Sequence, residues 1–256
     1  MNTIINPGEL LFLSMLMGAH EVYGVPDIYF GKTDAEIKDM VKAAADSCRK
    51  KRWYSVDFSG ENKMSLETEK LANVVSFSDK VTEIVLRNTK AKQSRYLFYT
   101  KDKNSIAFQE NGNRNKLCVL ADMLSLRIVL SVLFSEGCMV SGETESFTVT
   151  RSELQEIRSL NKNKPGALIA LLRDKDIDTV TTKLIAEAAS GRAGYFSATT
   201  VQILPTHGYS SIFYLADSGL VLQVRYTPNL GLTFERVSCH EAKQTAAAFI
   251  GGDFYV

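Results

Sequence analysis

The 256-residue chain contains only three histidines, four cysteines, five prolines and one tryptophan. Histidine is the side chain that most readily serves as a base or metal ligand near neutral pH. Three of them, at His20, His207 and His240, leave little material for either role. The cysteines, Cys48, Cys118, Cys138 and Cys239, include no C-x-x-C pair, and only Cys239 stands beside another potential ligand, His240. Tetrahedral zinc usually takes four ligands at tight spacings, so no metal site is expected. No stretch reads as a secretory leader, so the four thiols are expected to be reduced, as in a cytoplasmic protein. Charge of one sign is also missing. The balance is 30 Lys+Arg against 29 Asp+Glu, which gives no global field for nucleic acid or an acidic membrane. The apolar stretch Leu10 to Met17 falls far short of the ~20 residues a bilayer span requires and is read as a buried core helix. There is no G-x-S-x-G elbow, Walker lysine loop or G-x-G-x-x-G fingerprint.

What is present is an ordinary globular composition, 45% hydrophobic and 23% charged. A chain of 28.4 kDa can form one large domain or two small ones, and buries enough surface to need no staples.

Helices come first along the chain. Pro7 suits the first turn of a helix running to about His20, with almost no polar face. Thr33-x-x-Glu36 is a capping box opening a helix to about Lys51, with Ile37, Met40, Val41, Ala44 and Cys48 as its apolar stripe. Its terminal cluster Arg49-Lys50-Lys51-Arg52 complements the helix dipole. An extended piece, Trp53 to Phe58, a turn at Gly60-Glu61-Asn62 and a helix from about Ser65 to Val75 follow. Strands are then expected at Ser78–Leu86, Arg95–Thr100, Ser105–Glu110 and Lys116–Leu120, with connections short enough for an antiparallel meander. An apolar helix from Asp122 to about Phe134 closes the first half.

The second half begins near Gly142 and repeats the plan. It has a strand at Phe147–Thr150, a capping box at Thr150-x-x-Glu153, a helix start at Pro165, and a helix capped by Asp178 and ended by Gly191. Strands return at Tyr195–Leu204, Ser211–Leu215, Leu220–Tyr226 and Leu232–Val237, and Ser238-x-x-Glu241 opens a last helix to about Ile250. Leu97-Phe98-Tyr99-Thr100-Lys101-Asp102 resembles Ile212-Phe213-Tyr214-Leu215-Ala216-Asp217, which points to an internal duplication. In that alignment the first hairpin loop, Arg87 to Gln93, is four residues longer than its counterpart. The expected fold class is therefore α+β. It consists of two similar halves, 1–140 and 141–256, each with helices, a four-strand antiparallel meander and a closing helix, related by a pseudo-two-fold axis and forming one compact unit.

Candidate chemistry is sparse. Cys239 and His240 are neighbours on one helix, where adjacent side chains do not face each other, so no thiol–imidazole pair is expected. Asp174, Asp176 and Asp178 lack the glycine and distal glutamate of a calcium loop and read as a helix start. The loop Arg87-Asn88-Thr89-Lys90-Ala91-Lys92-Gln93 is basic, without the aromatic interleaving of a nucleic-acid site.

The opening Pro7-Gly8-Glu9-Leu10-Leu11-Phe12-Leu13 through Gly24-Val25-Pro26, the helix Asp34–Lys51 ending in Arg52-Trp53-Tyr54-Ser55, and the run Leu66–Val75 resemble the EspG-like family of type VII (ESX) secretion chaperones, including a Gram-positive branch. The resemblance implies a pseudo-two-fold fold of sheet and helices. It also implies a cytoplasmic, non-enzymatic chaperone without a cofactor or metal, which keeps helical secretion substrates of the WXG100/LXG or PE/PPE type soluble for export. The secretion machinery is a further implied partner. By the same resemblance, partner binding falls on Arg87, Asn88, Thr89, Lys90, Lys92 and Gln93. The alternative reading is an immunity or adaptor protein that binds a bacterial toxin.

Overall fold

A computed structural model describes residues 4–19, 21–87, 93–102, 104–110, 117–120, 146–153, 155–156, 166, 170, 172, 177–189, 191–204, 207–217 and 220–250. The chain is α+β and divides into two compact units, each assembled from three stretches. The first is Met1–Glu83, Tyr96–Met123 and Val201–Tyr209; the second is Ile84–Arg95, Leu124–Thr200 and Ser210–Val256. The halves 1–140 and 141–256 divide the sequence, whereas the compact units interleave along it.

In the first unit, helix α1 (Pro7–Leu16) starts at a reciprocal capping box. The Asn6 side chain accepts from the Glu9 amide at 2.8 Å, and the Glu9 carboxylate accepts from the Asn6 amide at 2.9 Å. The helix ends earlier than the expected His20, because Gly18 turns the chain at φ +85°. Helix α2 (Asp34–Lys50) opens on the expected Thr33/Glu36 box. The extended piece after it is one arm of a hairpin, β2 (Tyr54–Val56) with β3 (Asn62–Met64), where the sequence suggested only a turn. Helix α3 (Leu66–Ser76) is capped by Ser65. The strand order is β1-β7-β6-β5-β4, with β4 Lys80–Arg87, β5 Gln93–Lys101, β6 Asn104–Glu110 and β7 Leu117–Leu120; β4 from Ile84 and β5 up to Arg95 belong to the second unit. The edge strand β1 (Ile4–Ile5) has no counterpart in the sequence reading. Leu10, Leu13, Ala72, Val81, Leu97, Tyr99 and Phe108 form the core beneath the helices. Each large apolar side chain removed from water there contributes roughly 1.5–3 kcal/mol. Tyr99 is wholly buried, meets Phe108 edge to face at 5.7 Å, and donates its hydroxyl to the Tyr23 carbonyl at 2.7 Å.

In the second unit the order is β9-β10-β11-β12-β8, with β8 Ser146–Val149, β9 Gly194–Gln202, β10 Gly208–Asp217, β11 Leu220–Thr227 and β12 Gly231–Arg236; the stretch Val201–Tyr209, which holds the end of β9 and the start of β10, belongs to the first unit. Leu215, Leu222, Phe234 and Val149 share one apolar cluster with Leu184 and Ile185 of helix α4 (Thr179–Ala189). Residues between these on the strands, such as Phe196 and Tyr214, are buried as well. The sheet is therefore apolar on both faces over its inner strands. Helix α5 (Cys239–Ile250) presents buried Ala242, Ala246 and Ala247, and Ser238 caps it by accepting from the Glu241 amide at 3.1 Å.

Three expectations change. Cys239 is disulfide-bonded, so the four cysteines are not all reduced thiols; Cys48 is free and buried. The connections after β4 and after β9 both hold five residues, 88–92 and 203–207, so the first hairpin loop is not the longer one. The extra residue sits instead within β10, which has ten residues against nine in β5. The strand ends Lys101↔Asn104 and Asp217↔Leu220 flank equivalent two-residue turns, at an offset of 217 − 101 = 116. The similar Leu-Phe-Tyr and Ile-Phe-Tyr triplets stand at offset 115, one residue out of that register. A one-residue slip sends every side chain to the opposite face. Tyr99 therefore corresponds to Leu215 in position along the hairpin, not to Tyr214. The expected helix Asp122–Phe134 lies outside the described residues.

Candidate functional site

The basic connection singled out by sequence is flanked by two described residues. Gln93 opens β5 and is exposed. Arg87 ends β4 and is half-buried. Asn88, Thr89, Lys90 and Lys92 lie outside the described residues. Arg87 does not stand free in solvent. Its Nη1 and Nη2 lie 3.5 and 3.8 Å from where a β-carbon on Gly191 would stand, and its Nε is buried with no hydrogen-bond partner. Gly191 follows α4 at φ +72° and donates its amide to the Ala188 carbonyl at 2.9 Å. This left-handed helix exit suits glycine, and the guanidinium stands at ordinary van der Waals distance from it. The cation also sits near the negative end of the α4 dipole.

Asp178 and Arg236 are occupied in a structural role. Asp178 caps α4, accepting from the Val180 and Thr181 amides at 2.9 and 3.1 Å. It also accepts from Arg236 Nη2 at 2.6 Å, while the same nitrogen donates to the Thr181 hydroxyl at 2.7 Å. Burial pushes the Asp178 carboxyl up, but the Thr181 and Val180 hydrogen bonds and the Arg236 charge outweigh it and leave it below the usual range. His240 and His207 are exposed, and His20, Asp174 and Asp176 lie outside the described residues. Cys239 is bonded, which removes it as a nucleophile in this form. Among the described residues there is no group of three His, Cys, Asp or Glu side chains able to hold a metal ion. No helix among them is long and apolar enough to cross a membrane.

One cluster escaped the sequence reading. Glu9 is fully buried, and its carboxylate accepts from the Ser47 hydroxyl at 2.5 Å and from Lys51 Nζ at 2.7 and 2.8 Å. Lys51 Nζ also donates to the Ile4 carbonyl at 3.0 Å and lies 4.4 Å from the Trp53 ring centre. Burial and the Glu9 charge push the neighbouring Cys48 thiol up to about 12. Lys51 is thus a tie between α1, α2 and β1, and not only a charge at a helix end. The one local signal was Asn6-x-x-Glu9, itself a capping-box pattern.

No protein-family model matches the chain, and no curated protein matches it in sequence. Its architecture of antiparallel strands and helices is found in a solved structure. It is similar to the Mycobacterium tuberculosis type VII secretion system chaperone EspG5, determined in complex with the PE25–PPE41 dimer. The TM-score is 0.62 over 95% of this chain and 94% of that one, at 14% sequence identity. The fold is therefore EspG-like.

Proposed function

We propose that the protein is a non-enzymatic chaperone that binds helical substrates of a type VII (ESX-like) secretion system in the cytoplasm and holds them soluble for export. The observation that supports this reading most is the likeness of fold, which runs over nearly the whole of both chains and so involves no isolated motif. The neighbour is a chaperone bound to a PE/PPE dimer, and substrates of the PE/PPE or WXG100/LXG type are the partners proposed here. Among the described residues, Glu9, Lys51, Asp178 and Arg236 are engaged in structural contacts, which suits a binding protein. The proposed contact is the connection Arg87 to Gln93, whose lysines Lys90 and Lys92 would meet an acidic part of the partner. Such rim charges chiefly raise the association rate and weaken with salt.

Affinity capture from the native host at low salt, read by mass spectrometry, tests the reading. Recovery of a small helical secreted protein or pair is expected. Recovery of a folded toxin domain instead would move the assignment to an immunity protein.

A further inference from the structure

The hairpin β2–β3 carries apolar residues outward from the core of the first unit. Tyr54 and Met64 stand opposite each other at its base. Tyr54 is buried, meets the Phe12 ring edge to face at 5.2 Å and donates its hydroxyl to the Asn62 side chain at 2.6 Å; Met64 packs on the same core. Val56, one step further out on the same side of the hairpin as Tyr54, is exposed. Phe58, in the turn, is the most exposed large apolar side chain among the described residues. A ring left in water adds nothing to folding, so its presence there is not explained by the core. The turn that carries it is tightly built. The Asp57 carboxylate accepts from the Ser59 amide at 2.9 Å, the Ser59 hydroxyl at 2.5 Å and the Glu61 amide at 3.0 Å. The Asp57 amide donates to the Glu61 carbonyl at 3.0 Å, and the Gly60 amide to the Asp57 carbonyl at 3.1 Å. Gly60 takes a φ of +84°, which favours glycine. Lys63 meets Asp57 at 2.8 Å, and the Lys63 and Ser59 hydrogen bonds hold the Asp57 carboxyl down at about 2, so that it is charged at neutral pH.

We propose that the tip of the β2–β3 hairpin is an interface anchor, with Phe58 entering an apolar pocket of a partner protein that is edged by lysine or arginine. The occupant follows from charge. Asp57 and Glu61 make the tip acidic, and Lys63, the one cation between Tyr54 and Met64, is already engaged with Asp57. An anionic bilayer attracts apolar segments flanked by basic residues and repels this one, and so does a nucleic acid. A second copy of the chain would bring the same acidic tip. A basic rim around a pocket complements it, and rim charges of opposite sign speed the encounter. A central aromatic ring filling a pocket is where interface energy concentrates. Because the turn is stiff, little conformational freedom is lost when the ring is engaged. The inference goes beyond the chaperone reading, since the partner is not assumed to be an export substrate.

Phe58 is replaced in the full chain by photoreactive p-benzoylphenylalanine, and cells of the native host are irradiated. Phe30, also exposed, carries the same probe as the control. The expected result is an adduct to one protein from position 58 and none from position 30. The cross-linked peptide should be apolar, with a lysine or arginine within a few residues of the attachment point. Phe58→Ser should then weaken association of the purified chain with that protein at least about tenfold, with Tm unchanged. Glu61→Lys should slow association at low salt and leave Tm unchanged. No adduct, equal adducts from the two positions, or an adduct to lipid, nucleic acid or a second copy of the chain overturns the proposal. So does a cross-linked peptide without a basic residue, or undiminished affinity of Phe58→Ser. Capture of a helical secreted protein by the wild type with no adduct at position 58 would retain the chaperone reading and remove the anchor. An adduct to a protein unrelated to export, with the expected peptide and the expected loss in Phe58→Ser, would retain the anchor and leave the chaperone reading to the capture experiment.

Discussion

The two units handle buried polarity differently. In the first, a carboxylate is wholly buried at the junction of α1 and α2 and depends on one lysine, one serine and a backbone amide. In the second, the two ion pairs found among the described residues lie toward the surface, with Asp178 40% and Arg225 60% exposed in their side chains. Its interior is organised by shape. Phe147 stacks on Phe234 at 5.1 Å and 8°, and Gly231 passes so close to β8 that an added β-carbon would stand 2.1 Å from the Val149 carbonyl oxygen. The first unit is therefore sensitive to loss of charge, and the second to added volume.

The largest expected effect is in the first unit. Lys51→Ala strands a buried, ionised Glu9, which should cost about 3–5 kcal/mol in urea unfolding. Adding Glu9→Gln to that variant should recover much of the loss, since the uncompensated charge is then gone. If the single change costs less than about 1 kcal/mol, as for an exposed pair, the contrast between the units collapses. Next in size, Gly231→Ala combines a φ of +113° with a backbone collision and should cost about 2–3 kcal/mol. Hydrogen exchange should show protection lost first at Phe147–Val149, the strand that β12 carries.

A smaller effect is expected at the α4 cap. Asp178→Ala should cost about 1 kcal/mol. The Asp178 pKa is lowered in the fold, so its contribution is present above the ordinary carboxylate range and is lost as pH falls through the folded value. Asp178→Asn should remove that part of the acid dependence. The smallest effect is on reactivity. With its pKa raised to about 12, the Cys48 thiol should stay unlabelled at neutral pH in the native protein and react on unfolding. Cys239 should remain blocked until a reductant is added.

Local signals carried most of the architecture. Thr33/Glu36, Ser65, Thr150/Glu153, Asp178 and Ser238 each mark a helix start by a hydrogen bond spanning two or three residues, and such bonds are readable from spacing alone. The strands were legible to within a few residues at their ends. The Glu9–Lys51 tie was not, because its partners are 42 residues apart and each already had a sufficient local explanation. Strand register also misled. The resemblance of Leu97-Phe98-Tyr99 to Ile212-Phe213-Tyr214 is a resemblance of letters, and one additional residue in β10 puts Phe213 and Leu215 in the cluster shared with α4 while Tyr214 lies outside it. At the proposed contact, the sequence showed a run of basic residues. It could not show that Arg87 is half-buried against Gly191, a residue 104 positions away.

The proposed function is to keep a helical export substrate soluble. The most direct measurement is the soluble fraction of the captured substrate when it is expressed alone, with the chain, and with the chain carrying Lys90→Glu and Lys92→Glu. The expected result is a substrate that aggregates alone, is soluble with the wild-type chain in a stable complex, and is only partly rescued by the charge-reversed chain. A substrate equally soluble with and without the chain would contradict the claim.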